Sequence, residues 1–412
     1  MSTKKLTNDA VILGGGAAGM FAAVTAARRG LRVLLIEKNN RLGKKLAITG
    51  KGRCNVTNAC SAEEVIKNIP RNGRFLYSAI AAFPPESTMA FFEENGCPLK
   101  IERGNRVFPV SDRSADVISA LERAMKGVRH KQAAVTRILT QEGRVAAVKT
   151  EDGLISCEQV IVCTGGASYP LTGSNGDGYR LAEALGHTVI PPVGSLVPLE
   201  AEKDCALMQG LSLRNTGLKL VNSKGKTVYQ DFGELLFTHF GISGPMALSA
   251  SAHLTAGESY TVVLDLKPAL DEAKLDARFL RDLEQYSARS MENALADLYP
   301  HSMIPVLLRR ADIDPAQKAN TLTKIQRRAL LEQTKHFSIR IDGPRPVEEA
   351  IITRGGVSVR EINPKTMESK LVDGLYFAGE IIDCDAYTGG FNLQIAWSTA
   401  YAAGNAVSAE NA

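Results

Sequence analysis

An α/β fold with a discontinuous first domain is what this sequence predicts, and three observations carry the prediction. A short apolar run, Ala10-Val-Ile-Leu13, leads straight into Gly14-x-Gly16-x-x-Gly19 and an Ala-rich helix ending near Arg29. The next apolar run, Leu31 to Ile36, stops on Glu37, 21 positions after Gly16. Far downstream, Gly374-Leu-Tyr-Phe-Ala-Gly379-Glu380 reads as a buried strand ending on a glycine–acid pair. A last helix follows over about 393–407, behind Gly389-Gly390.

Each part of the opening has a physical reason. Gly14 permits the tight turn, Gly16 lets backbone approach a pyrophosphate, and Gly19 allows the helix to pack closely on the strand. The helix start, with Ala18 in its first turn, offers free N–H groups and the positive end of the dipole to phosphates. Glu37, beside Lys38, accepts hydrogen bonds from ribose hydroxyls, which favours an adenosine without a 2′-phosphate. These features predict a dinucleotide site on a Rossmann-like domain.

Two further strands, 145–149 and 159–163, are expected to complete that domain, the second running into Thr164-Gly165-Gly166. The domain then spans 1–190 and 355–412. Between Leu196 and Leu266 short alternating runs and turns such as Ser223-Lys-Gly225 predict a β-rich insertion, 191–267 plus 336–354. From 268 to 335 the apolar spacing turns helical (Leu280, Leu283, Tyr286, then Leu295, Leu298, Tyr299), with Pro300, Pro305 and Pro315 cutting it into short helices. That stretch reads as a nested helical subdomain.

Bulk properties narrow the function classes. A chain of 412 residues holds two or three domains, and 44% hydrophobic with 23% charged residues excludes wholesale disorder. The first nine residues lack the apolar core of a signal peptide, and no apolar run matches a bilayer, so the expected location is cytoplasmic with no membrane partner. Seven scattered cysteines fit a reducing compartment, and six isolated histidines without a Cys-x-x-Cys predict no metal site. A net charge of +5 does not by itself imply nucleic acid. Its distribution is more telling: Arg41, Lys44, Lys45, Lys51 and Arg53 contain no acid among them, and Lys318, Lys324, Arg327, Arg328, Lys335 and Arg340 face only Glu332. Such runs are solvated helix faces or surfaces for phosphates of a cofactor or an RNA backbone.

NAD enzymes and flavoproteins share the opening fingerprint. The strand ends at Gly165-Gly166 and at Gly379-Glu380 favour FAD, because an extended FAD needs a late strand to meet its ribityl chain. A second G-x-G-x-x-G for a nicotinamide is missing, so NADPH or NADH as reductant would bind transiently or elsewhere.

Several motifs carry a resemblance. They are Gly43-Lys-Lys-Leu-Ala-Ile-Thr-Gly-Lys-Gly-Arg-Cys-Asn-Val-Thr-Asn58, Thr164-Gly-Gly-Ala-Ser-Tyr-Pro-Leu-Thr-Gly-Ser-Asn-Gly-Asp-Gly178, Phe237-Thr-His-Phe-Gly-Ile-Ser-Gly-Pro245, Thr353-Arg-Gly-Gly-Val357 and Gly389-Gly-Phe-Asn-Leu-Gln394. Through nearly the whole chain the sequence resembles the YhiN/BaiN-like flavoproteins, also called aminoacetone-oxidase-type FAD-binding enzymes. The resemblance implies FAD, a discontinuous FAD-binding domain, an inserted β-barrel-like domain with a helical cap, and reduction by a nicotinamide cofactor. Members of the enterobacterial type make dihydrouridine in large-subunit ribosomal RNA, and others reduce bile-acid-type enones. One departure is Asp383-Cys-Asp-Ala-Tyr387, where the family commonly has Val and Gly, so Cys384 is a poor catalytic candidate.

The candidate site residues follow from both readings. The Gly- and Lys-rich loop 43–58 is expected along the pyrophosphate and toward the flavin, with Lys45, Thr49, Gly50, Arg53, Cys54 and Asn55 as cofactor contacts; the alternative is an exposed basic loop. Reducing a uracil 5,6 double bond needs a hydride and a proton. Cys54 is one candidate proton donor, because a free thiol with a pKa of about 8.5 is mostly protonated at neutral pH; a lowering by nearby Arg53 and Lys51 would count against it, and the alternative is that it merely packs under the flavin. His239 is the other, unless it is structural. Gly390, Phe391 and Asn392 would place helix-start N–H groups against the negative charge of a reduced flavin. Glu380 or Asp383 would hold ribityl hydroxyls, or Asp383 would cap the last helix. Tyr169, Tyr387 and Phe391 are candidates to stack on a flipped base.

The leading expectation is an FAD-dependent, NAD(P)H-reduced enzyme. It passes hydride from flavin N5 to a uridine of large-subunit ribosomal RNA. The alternatives are a flavin reductase or oxidase of a small enone or amine, and an RNA-gripping assembly factor without chemistry.

Overall fold

The computed structural model of the chain describes residues 8–408. It divides into two units, one running to 195 and resuming at 347, the other spanning 196–346.

The first unit is built on a five-stranded parallel sheet in the order Leu375–Phe377, Val160–Val162, Ala10–Leu13, Val33–Glu37, Arg129–Gln132. The first three of these are buried along their whole length, as a sheet covered on both faces requires, and so read as continuous apolar runs. The helix Ala17–Arg28 packs against the last helix, Phe391–Ala406. Small residues set that approach: a Cβ added at Gly404 would lie 2.7 Å from Thr25 Cβ. Around the crossing, Phe21 meets Phe83, Phe91 and Trp397 at ring-centroid distances of 4.9, 4.8 and 5.6 Å.

One sequence expectation is corrected here. The strand expected at 145–149 exists as Arg144–Thr150, but it pairs with Val135–Gln141 and Gly153–Ser156 in a separate antiparallel sheet. The parallel sheet instead takes Arg129–Gln132 as its edge, a polar stretch without alternation that backbone bonding to Val33–Glu37 makes a strand. A further small sheet joins Thr57–Asn58, Arg106–Pro109 and Leu99–Glu102. Val189–Ser195 pairs with Ile352–Val357, a pair that straddles positions 190 and 355 and lies wholly in the first unit.

The second unit contains a closed six-stranded antiparallel barrel: Leu199–Ala201, Gly241–Ser243, Thr227–Thr238, Ser212–Asn222, Tyr260–Asp265 and Phe337–Pro344. Alternation is visible in Tyr260–Asp265, where every second residue is buried. Between the last two barrel strands lie helices Glu272–Gln285, Met291–Ala294, Ile304–Arg310 and Lys324–Lys335. Asp271 caps the first through Lys274 N (2.8 Å), Pro305 opens the third, and Thr323 with Gln326 forms a capping box on the last. The α/β class, the discontinuous Rossmann-like domain, the barrel and the helices all match the expectation.

Candidate functional site

The glycine fingerprint folds as its chemistry requires. Gly14 has φ +100° and a Cβ there would lie 2.5 Å from Cys163 O; a Cβ at Gly19 would lie 1.7 Å from Gly14 O. Gly16 is different. Its φ is −83°, and a Cβ there would meet nothing within 4 Å. Neither backbone conformation nor protein packing calls for glycine at 16, and the open space above an uncapped helix start is what a pyrophosphate needs. The structure thus fits a dinucleotide on its own terms. Glu37 sits at the same turn, accepting from Gly15 N (2.6 Å), Asn39 N (2.7 Å) and Asn39 Nδ2 (2.7 Å).

A second cluster gathers four distant segments around Glu380. Its carboxylate accepts from Lys45 Nζ (2.6 Å), Ser168 Oγ (3.1 Å) and Thr353 N (2.9 Å), while Thr353 Oγ1 accepts from Ala167 N and Ser168 N. Glu380 and Lys45 therefore bind each other and fix the loop after Val162. Lys38 similarly pairs with Asp177 and donates to Asn175 Oδ1 (2.8 Å). Beside this cluster the buried hydroxyls of Thr164, Ser174 and Tyr179 have no hydrogen-bond partner in the protein. Buried polar atoms of this kind call for a bound group or water. Gly165 (φ +74°) lies between Ser174 and Glu380: a Cβ there would be 3.0 Å from Ser174 Oγ and 4.0 Å from Glu380 Oε2. Gly379 lets the late strand end close on Ala18, 2.8 Å from a Cβ added there.

The loop 43–58 departs from expectation at two residues. Cys54 is wholly buried, and that burial pushes its thiol up to about 12 against a smaller opposing effect of a hydrogen bond with Thr49. Neither Arg53 nor Lys51 lowers it: burial outweighs the rest, and Arg53 is occupied elsewhere. Its guanidinium pairs with Glu102 and with Asp112 (2.6 Å) and lies 4.1 Å over the Phe108 ring. Arg53 thus ties the loop to the Leu99–Pro109 hairpin. Thr49 Oγ1 donates to Leu46 O (2.7 Å), Asn55 Oδ1 accepts from Val107 N (3.2 Å), and Gly50 has φ +58°.

The last helix starts at Gly390 with no side-chain cap and no acid in its first turn. That removes the reading of Asp383 as its cap. Asp383 instead accepts from Asn72 Nδ2 (3.0 Å), and burial pushes its carboxyl above the usual range. Gly390 is obligatory, since a Cβ would lie 2.3 Å from Thr57 O. Asn392 bonds both the N and O of Ala386 (2.9 and 2.8 Å), fixing the 383–387 loop. Phe391 is buried, so it is not a platform for a flipped base; its ring packs by Gly389.

Residues not foreseen from the sequence hold this end in place. Gln394 accepts from Thr57 Oγ1 (2.6 Å) and Thr88 Oγ1 (2.9 Å), and donates to Phe83 O (2.8 Å) and Ser398 Oγ (2.9 Å), all buried. Asn58 Nδ2 donates to both Gly104 O and Gly389 O (3.0 Å each). Buried Asp385 accepts from Ser195 Oγ (2.6 Å) and Arg71 (3.2 Å). The motifs ending in Gln394 and Asn58 and the departure around Asp385 marked these segments, but nothing local assigned the side chains their partners.

His239 belongs to the second unit, exposed in the turn between Thr227–Thr238 and Gly241–Ser243, its ring edge-on to Phe240 at 5.0 Å. Half of the named cations in the basic run 318–340 are paired within that unit: Arg327 with Asp276 (2.7 Å), Lys335 with Asp265 (2.6 Å) and Arg340 with Asp342 (3.3 Å), while Lys318 donates to Ala288 O (3.1 Å). Among the described residues no cluster of potential metal ligands occurs, and no helix is long and apolar enough to cross a membrane.

The sequence pattern described as "HI0933-like protein Rossmann domain" matches residues 8–406. The chain is 31% identical over 406 residues to the 3-dehydro-bile acid delta(4,6)-reductase of Clostridium scindens, covering 96% of this chain and 98% of that protein. It is 30% identical over 407 residues to the ribosomal RNA dihydrouridine synthase of Escherichia coli, covering 96% of each. Among solved structures, 3-ketosteroid delta1-dehydrogenase from Sterolibacterium denitrificans shares the fold at a TM-score of 0.51, with 14% identity over 98% of this chain and 99% of that one.

Proposed function

We propose that this chain, which belongs to the HI0933-like family and is an FAD-dependent oxidoreductase, reduces the 5,6 double bond of a uridine in large-subunit ribosomal RNA, giving dihydrouridine. The observation that carries this reading is the end-to-end likeness to the Escherichia coli ribosomal RNA dihydrouridine synthase, on a site whose open Gly16 cradle suits a dinucleotide. A second reading, reduction of a small enone, is favoured by the equally extensive likeness to the bile acid reductase.

Bound FAD, reloaded by NADPH or NADH, supplies the hydride. The chain's own residues do the rest. The start of helix Ala17–Arg28 would hold the diphosphate, with Glu37 turning from Gly15 and Asn39 to ribose hydroxyls. Thr164 and Ser174, hydroxyls without protein partners, would donate to the ribityl region beside Glu380. The uncapped start of Phe391–Ala406 would stabilise negative charge on the reduced ring by roughly 0.3–2 kcal/mol. The product also needs one proton. Cys54, whose thiol is enclosed, fits packing better than that work, and His239 on the second unit is the other candidate donor.

Mapping dihydrouridine in ribosomal RNA tests the reading. A deletion strain should lose one modification and regain it with the wild-type gene. Survival of every modification after deletion sinks the RNA reading and leaves the enone one.

A further inference from the structure

The Leu99–Glu102 and Arg106–Pro109 hairpin ends in an exposed turn, Arg103-Gly104-Asn105-Arg106, at a telling place. Gly104 O accepts from Asn58 Nδ2, the same amide that bonds Gly389 O, and Asn105 O accepts from Ala59 N (2.7 Å). One buried side chain thus fixes the turn to the start of the last helix. Gly104 and Asn105 both have positive φ (+75° and +58°), which holds the turn tight.

Charge on this rim is lopsided. Glu102 and Asp112 are already taken by Arg53 and Lys100, with Lys100 Nζ 2.7 Å from Asp112. Arg103, Arg106 and Lys51 are exposed, and among the described residues none of them meets a carboxylate. Arg106 is pre-oriented, its Nε donating to Arg103 O (3.0 Å) and its guanidinium 5.8 Å over Phe108, the ring that also carries Arg53. Five cations (Lys51, Lys100, Arg103, Arg106, Arg53) therefore stand with two carboxylates at the edge of the candidate site. No carboxylate among the described residues balances the three exposed ones.

We propose that Arg103 and Arg106 bind backbone phosphates of single-stranded RNA on either side of the nucleotide presented to the site. The inference rests on the RNA reading above. A base leaves its stack only if its flanking backbone is held, and guanidinium groups at the rim supply fixed, sequence-independent phosphate contacts. Arginine suits this better than lysine, because its planar fork engages two phosphate oxygens at once.

The test is binding of a fluorescein-labelled oligouridylate to the flavin-loaded protein over a series of KCl concentrations. Wild type, the double variant Arg103→Ala/Arg106→Ala and a control, Lys224→Ala on an exposed barrel turn, are compared. The double variant should keep its flavin and its KM for NADPH yet bind RNA roughly tenfold more weakly. The slope of log affinity against log salt should flatten by about 0.7 per arginine, about 1.4 in all. If the wild type binds RNA and the double variant binds it equally with the same slope, the phosphate assignment is wrong while the RNA reading stands. A change confined to the KM for NADPH would instead make the rim a nicotinamide site and overturn the proposal. If the wild type neither binds nor modifies RNA, both fall together.

Discussion

Gly16→Ala should separate cofactor binding from folding. A Cβ at 16 meets no protein atom within 4 Å, and φ of −83° suits alanine. Losing glycine at a helix start costs on the order of 1 kcal/mol, and the stiffer unfolded chain offsets about half of that or more. The flavin-free variant should therefore melt within about 4 °C of the flavin-free wild type. FAD binding should suffer far more, because the methyl group occupies the approach of the pyrophosphate. Two lost charge-assisted hydrogen bonds at about 1.5 kcal/mol each make about 3 kcal/mol, a factor of about 150 in affinity. Gly19→Ala supplies the contrast: its Cβ would sit 1.7 Å from Gly14 O, so folding itself should fail. Flavin titration followed by fluorescence, with melting of the stripped proteins, reads both quantities. A Gly16→Ala protein that binds FAD as wild type does, or that unfolds without it, would refute the reasoning.

Three other outcomes are expected. Gln394→Leu removes one partner each from Thr57, Thr88, Ser398 and Phe83 O, the last two keeping their mutual bond, and should cost about 2 kcal/mol in urea unfolding; a loss under 1 kcal/mol would deny the network its role. The thiols of Cys54, Cys157 and Cys205 are pushed up to about 12 by burial, so the unfolded chain releases their protons first. The stability these neutral thiols contribute is then whole below pH ~8.5 and shrinks as pH rises toward 12, and Cys54→Ala should flatten that decline while retaining turnover. Substituting His239→Asn should lower turnover at saturating substrate, and unchanged turnover would take His239 out of the chemistry.

What the sequence disclosed divides by range. The Gly14–Gly19 turn was legible because its demands are local: one tight φ, one close helix approach and one open space, all within six residues. The late strand and last helix were legible because a covered parallel sheet leaves unbroken apolar runs. Arg129–Gln132 was not, since an edge strand held by backbone bonds to one neighbour shows no hydrophobic pattern. Charge was harder to read. Lys45 and Arg53 stand in an acid-free loop, and their partners Glu380, Glu102 and Asp112 lie far along the chain. In the run 318–340, Arg327 and Lys335 likewise find their acids outside the run. Conversely, Arg103 and Arg106 drew no notice as two arginines in a mixed segment. Only the fold sets them beside Gly389.

The absorption spectrum of the purified protein tests the account most directly. An oxidised-flavin spectrum at one FAD per chain, bleached by NADPH and restored when ribosomal RNA is reduced, is the predicted result. Protein that stays colourless after incubation with excess FAD would contradict it at the root.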